Sequence, residues 1–364
     1  MEAAGAVAGP EADIEDLGPG VLFPGLVNAH CHLELSSLGG RIGLPMDFVP
    51  WIAKVVESLG AEPPDRARTA AAVAIRQIEA KGTVAVGDVS NTLAHLDLLG
   101  ESRLHAVVFF ELLGWDPARA SAILEGAEAR LAAVVTHLPQ NVEVRLAAHA
   151  PHSVSVALLE GIRARGGPAA LHLAESPAER QFLDGENGEW SAFLRQRAGD
   201  VAFTAPRVSP VRYASDLGLL HPRLVAAHCV QVDATDIALL AHAGSYVAVC
   251  PRSNRNLGVG IPPVPAMLEA GVRLCLGTDS LASVPSLDLI DDAVALRREF
   301  PSLDAAVIVR MATLGGAEAL GLPDLGVLAP GKRPALAFAP AERAPRDPLA
   351  FLLSGEAQPT QVAP

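Results

Sequence analysis

A chain of 364 residues, half of them apolar, can bury a large core as two average domains or as one α/β barrel with additions. Its formal charge of −13 excludes partners that demand a basic surface, namely nucleic acid and anionic membranes. No apolar run approaches the roughly 20 residues of a membrane span, and the start lacks the basic-then-apolar order of a signal peptide.

The four cysteines (Cys31, Cys229, Cys250 and Cys275) form no Cys-x-x-Cys pair, so reduced thiols in the cytoplasm are expected. Residues 1–20, rich in Gly, Ala, Pro and acids and without periodicity, read as a loose arm. The stretch from Phe23 to Glu34 (FPGLVNAHCHLE) reads as one strand ending in two histidines, opened by Pro24, which lacks an amide donor, and the flexible Gly25. Side chains alternate along a strand, so His30 and His32 share a face and Cys31 takes the other. Two imidazoles on one face can grip a metal ion from one side. Ser36 to Pro50 is irregular, and Trp51–Leu59 is a short apolar-periodic segment. Asp65–Lys81 is a helix with an Asp start and a Gly82 stop.

Strands follow over Thr83–Asp88 and Leu104–Leu112, then an Ala-rich helix over residues 116–135. Val142–Ala148 is a strand running into His149-Ala150-Pro151-His152, and Ala169–Leu173, Leu224–Ala227, Ser245–Val249 and Val272–Leu276 complete the set. Eight strands alternating with helical patterns predict a parallel sheet closed into a (β/α)₈ TIM barrel over residues 21–330, with 331–364 as an appendage packed on it. A doubly wound open sheet would carry a Gly-rich phosphate turn after its first strand, and none is present.

Functional side chains in such a barrel gather at the C-terminal strand ends. There lie His30 and His32, His149, His172 with Glu175 (HLAE), His228, Arg252 with Asn254, and Asp279. Each has an ordinary reading alone: His172 as a satisfied core histidine, Asp279 as a helix cap, Glu175 as a solvated acid. Their joint placement at matching strand ends is hard to explain as packing. Three neutral imidazoles and one carboxylate suit a single Zn²⁺, with Fe²⁺ as competitor, and leave a position for water. The three lysines, Lys54, Lys81 and Lys332, lie away from the mid-barrel strand ends, which argues against a lysine-bridged pair of metals.

Through PGLVNAHCHLE, HLAES, AAHCV and GTDSLAS, over roughly Val21 to Pro340, the chain resembles the amidohydrolase superfamily and its cytosine-deaminase-like branch of mononuclear aminohydrolases. The resemblance implies that His30, His32, His172 and Asp279 are metal ligands. It implies Glu175 as general acid/base, His228 as the residue orienting the attacking hydroxide, and Asp279 as acceptor of the water proton. The His-x-Glu with Pro-Cys-x-x-Cys signature of the other zinc deaminases is absent from the sequence.

DFVPWIAKVV, FFELLG, SPVRYASDLGLL and CPRSN resemble the aminodeoxyfutalosine deaminases of menaquinone synthesis, relatives of adenosine and S-adenosylhomocysteine deaminases. That likeness implies a 6-aminopurine nucleoside with an acidic 5′ extension. Trp51 would then pack on it, His149 would touch ribose or the 5′ group, Asn254 would line the pocket, and Arg252 or Arg212 would meet the carboxylate. Two departures are visible: a short arm before the first His strand, and no acidic residue after PGK (PGKRPALAF), which predict a reduced accessory β segment from the two termini. Cys31 stands where the family more often has Thr. A chlorohydrolase of the same branch would use the same ligands, and a guanine deaminase belongs to that branch too; an amide-bond hydrolase is less favoured, because Glu175 is placed for ring-nitrogen protonation. A non-catalytic metal scaffold is disfavoured by the presence of both Glu175 and His228. A small-molecule substrate and, from the family, a homo-oligomer are expected.

Overall fold

At Gly25 the chain changes sheets. A computed structural model describes residues 15–362 apart from positions 187, 200 and 202. Strand β1 (Gly20–Pro24) lies before Gly25 and β2 (Leu26–Cys31) after it. A Cβ at Gly25 would come within 2.2 Å of Val84 Cγ1, so only glycine fits the crossing. The single strand expected from Phe23 to Glu34 is therefore two, in different sheets. His32 also lies beyond the end of β2, at the entry to a 3₁₀ turn over Leu33–Leu38. Of the arm expected over 1–20, positions 1–14 lie outside the described residues, and Gly20 already opens β1.

The main sheets contain β2, β3 (Thr83–Ser90), β4 (His105–Leu112), β5 (Val142–Ala148), β6 (Ala170–Leu173), β7 (Val225–His228), β8 (Tyr246–Val249) and β9 (Arg273–Leu276). They form two four-stranded parallel sheets in the orders β2-β3-β4-β5 and β6-β7-β8-β9. Backbone bonds stitch both seams. At one, Ala169 N–H donates to Leu146 O at 2.8 Å and His172 N–H to His149 O at 2.8 Å. At the other, the amides of Thr278 and Asp279 both donate to His30 O, at 3.0 and 3.1 Å. One buried cluster, including Phe109, Ala147 and Ala170, draws on all eight strands, as the inside of a TIM-type ring does.

Helices cover the outside. The one over Pro64–Ala80 starts with Pro in its first turn and buries Ala71, Ala74, Ile75 and Ile78, the i, i+3, i+4, i+7 stripe of an amphipathic helix. Truncating the fully buried Ile78 to Ala would cost about 2–5 kcal/mol. The accessory sheet is small: β1 pairs antiparallel with β10 (Leu336–Pro340), which pairs with β11 (Thr360–Gln361). Among the described residues no helix is long and apolar enough to cross a membrane.

Candidate active site

Inward positions stay apolar along the strands and turn polar, in steps of two, at their C-terminal ends. Val107 and Phe109 are followed by Glu111 on β4, Ala147 by His149 after β5, and Ala170 by His172 on β6. Cys275 is followed by Gly277 and Asp279 after β9. The alternate residues Leu171 and Leu173 pack outward in a different cluster. A Cβ at Gly277 would lie 2.8 Å from both the Cβ and the carbonyl oxygen of His30, so glycine lets the end of β9 close against β2.

Three imidazoles converge there. The ring centroid of His30 lies 5.0 Å from that of His32 and 4.9 Å from that of His172. Nε2 of His32 and Nε2 of His172 face each other at 3.2 Å, and Asp279 Oδ1 lies 3.6 Å from His32 Nε2. Both ring nitrogens of His30 are buried without a hydrogen-bond partner among the described residues. Burial, and then the neighbouring imidazoles, hold His30 well below the ordinary histidine value, so it is neutral. Burial likewise lowers His32. Ring nitrogens of His30, His32 and His172 turned on one point, beside a carboxylate, fit a divalent cation of the zinc type.

Each of these groups is held from behind. Nδ1 of His172 lies 3.1 Å from His149 O and 3.3 Å from Glu111 Oε1. Burial opposes charge on both partners, yet the Glu111 hydrogen bond carries His172 up to about 9, and the facing imidazoles bring Glu111 down to about 2. Asp279 Oδ2 accepts the hydroxyls of Ser253 at 2.5 Å and Ser283 at 2.8 Å. Burial works against its charge, but His32, His228 and those two hydroxyls keep its carboxyl below the usual range.

Beside this cluster, Glu175 Oε1 lies 3.6 Å from His228 Nε2. Burial drives Glu175 up to about 8, so at neutral pH it carries a proton to give. Burial brings His228 down to about 4, and its Nδ1 is 2.8 Å from Asn254 Oδ1. The Glu175 amide donates to Glu179 Oε2 at 2.8 Å, and Glu179 Oε1 lies 3.5 Å from buried His152. Ala174, His228 and Asp279 adopt φ of 52°, 71° and 62°, the strained left-handed region, all within this one site.

The cluster opens into a cavity of about 370 Å³. The helices Phe48–Gly60 and Glu189–Ala198 contribute apolar walls. Trp51 and His149 both line it, although the Trp51 indole N–H is spent on Ala282 O and His149 Nδ1 lies 2.5 Å from Ser153 Oγ. Three expected substrate contacts are corrected. The Arg252 guanidinium is engaged by Asp292, Asp291 and Ser286, outside the cavity wall. Arg212 pairs with Asp216 at 2.7 Å on the surface. Asn254, fully buried, holds His228 rather than facing the cavity. Glu111, Ser253, Ser283 and Glu179 join the site without a motif that marks them in the sequence. An acid inside the apolar strand FFELL, in step with Val107 and Phe109, was the signal available for Glu111.

A model of the amidohydrolase family matches residues 21–355. An aminodeoxyfutalosine deaminase from Deinococcus radiodurans is 32% identical over 324 residues, covering 84% of this chain and 75% of that protein. A 5-methylthioadenosine/S-adenosylhomocysteine deaminase from Teredinibacter turnerae is 31% identical over 331 residues, covering 86% and 70%. The solved adenosine deaminase from Xanthomonas campestris, with bound zinc, superimposes with a TM-score of 0.71 at 25% identity, covering 92% of this chain and 76% of that one.

Proposed function

The chain belongs to the amidohydrolase family, and from that premise we propose that it is a metal-dependent hydrolytic deaminase of 6-aminopurine nucleosides, with aminodeoxyfutalosine as the favoured substrate. The observation that carries the reading is the pairing of Glu175 Oε1 with His228 Nε2 at 3.6 Å, both facing the cavity beside the three imidazoles. His30, His32, His172 and Asp279 would hold the metal. When bound, Zn²⁺ supplies a Lewis acid and a water of lowered pKa.

The chain's own groups handle the protons. Protonated Glu175 donates to the ring nitrogen next to the amino-bearing carbon, which makes that carbon electrophilic. Asp279, kept ionised by its two serine donors, accepts the proton of the attacking water. Neutral His228, its Nδ1 turned to Asn254, presents Nε2 to the oxygen that adds. The proton that Asp279 took from water then goes to the amino group, which leaves as ammonia, and ionised Glu175 recovers a proton from the added hydroxyl as the carbonyl forms. The apolar walls exclude bulk water from the exchange.

The sequence relatives support both an aminodeoxyfutalosine and a methylthioadenosine or S-adenosylhomocysteine substrate. Ammonia release by the zinc-loaded chain from aminodeoxyfutalosine, methylthioadenosine, S-adenosylhomocysteine, adenosine, guanine and cytosine separates them. A preference for one nucleoside supports the reading. Silence on all, with metal bound, rejects it in favour of a chlorinated or amide substrate. Loading the stripped chain with Fe²⁺ instead of Zn²⁺ in the same assay identifies the active metal.

A further inference from the structure

The cavity contains a cation, and it is neither arginine expected to meet a substrate carboxylate. Among the described residues that line it, Arg197 is the only Lys or Arg. It lies in the last turn of the helix Glu189–Ala198, with its guanidinium carbon 5.6 Å from the centroid of the Phe193 ring, one turn earlier. Of the acids in the lining, Glu34 is bonded to Ser90, Asn91 and Thr92, and Glu111, Glu175 and Asp279 belong to the cluster at the metal end, where the reacting base would sit. For a substituent at the other end of the substrate, Arg197 is the one cationic side chain of the described lining.

The walls near it are apolar. Phe48 and Trp190 face each other from the two helices at 6.2 Å between ring centroids, and Trp51, Val55 and Leu194 extend the same surface. Such walls suit a weakly hydrated spacer, and a planar guanidinium suits a carboxylate, which it can grip through two parallel hydrogen bonds.

We propose that Arg197 is the recognition point for a carboxylate at the end of the substrate remote from the reacting amine. The ligand class is a 6-aminopurine nucleoside whose 5′ substituent is an apolar spacer ending in that carboxylate. The inference rests on the deaminase reading and deepens it, because it separates acidic from neutral 5′ substituents.

The test uses the full zinc-loaded chain and three nucleosides: one with a 5′ carboxylate-bearing spacer, adenosine 5′-phosphate, and neutral methylthioadenosine. In Arg197→Met the ratio of kcat/KM for the carboxylate nucleoside to that for methylthioadenosine should fall by about 10- to 100-fold, and Arg197→Lys should recover part of it. Arg195→Met, on the same helix but outside the cavity lining, should leave the ratio unaltered. An unaltered ratio in Arg197→Met, or an equal fall in Arg195→Met, overturns the assignment. A loss confined to adenosine 5′-phosphate overturns the carboxylate class. Tryptophan fluorescence titration with the matching 6-oxo nucleosides needs no turnover and decides the matter separately. If the chain deaminates none of the three, the deaminase reading falls. Charge-dependent binding lost in Arg197→Met would still support Arg197, and charge-independent binding would overturn it.

Discussion

Across 3.2 Å, Nε2 of His32 and Nε2 of His172 point at each other, while both nitrogens of His30 have no partner among the described residues. Lone pairs so placed repel unless a proton or a cation lies between them. Replacing His172 by Ala removes one of the facing donors and should leave well under one equivalent of zinc per chain by elemental analysis. Full zinc occupancy in that variant would falsify the ligand assignment. In the wild type, chelation should lower the thermal midpoint, because a ligand bound only to the folded state stabilises it.

Glu175→Gln keeps the shape of the side chain and removes the proton it transfers. Zinc content should stay at the wild-type level while ammonia release falls by about 10²–10⁴-fold. Retained turnover would take Glu175 out of the chemistry.

Glu111 reaches the site through His172 alone among the proposed ligands, with its Oε1 3.3 Å from Nδ1. A carboxylate behind a metal-ligating histidine fixes the ring and raises its donor strength. Glu111→Gln should therefore weaken zinc binding by about 10- to 100-fold in a chelator competition, with circular dichroism unaltered. An unchanged zinc affinity would reduce Glu111 to a packing residue.

Away from the imidazole cluster, His95 Nε2 lies 2.7 Å from Asp88 Oδ2, both side chains buried. Burial opposes the charge, but the Asp88 carboxylate wins and raises the imidazole above its ordinary value. The folded chain thus holds a proton that the unfolded chain releases near pH 6.5. The stabilisation is complete below about 6.5 and is lost as the pH rises through the raised folded value. In urea unfolding, the deficit of His95→Gln relative to wild type should be larger at about pH 6 than at about pH 9. An equal deficit at both would mean that the pair stays uncharged.

The strands and the residues that end them were legible because both follow local rules. Apolar runs bounded by turns mark the strands, and the period of two carries Ala170 to His172 and Cys275 to Asp279 on one face. The split at Gly25 was only half legible: Pro24-Gly25 marks an irregularity, but Val84, whose methyl forbids a side chain there, lies far along the chain. The arginines are illegible for the same reason. Arg252 meets Asp292 forty residues on, a pairing no local pattern announces, whereas Arg197 sits in an ordinary-looking polar helix end that the fold turns to the cavity. Asn254 lies beside the cluster, but its side chain serves His228 and not the cavity.

The seam at which the amides of Thr278 and Asp279 bond to His30 O has a bearing on how the molecule assembles. His30 belongs to the first strand of the main sheets, and Asp279 follows the last. Closing that seam bridges a long loop of chain, which carries an entropy cost. On the proposed ligand set, the cation site stays incomplete until the first and last strands of the main sheets meet. Metal uptake during refolding would report completion of the ring, lagging behind the recovery of secondary structure.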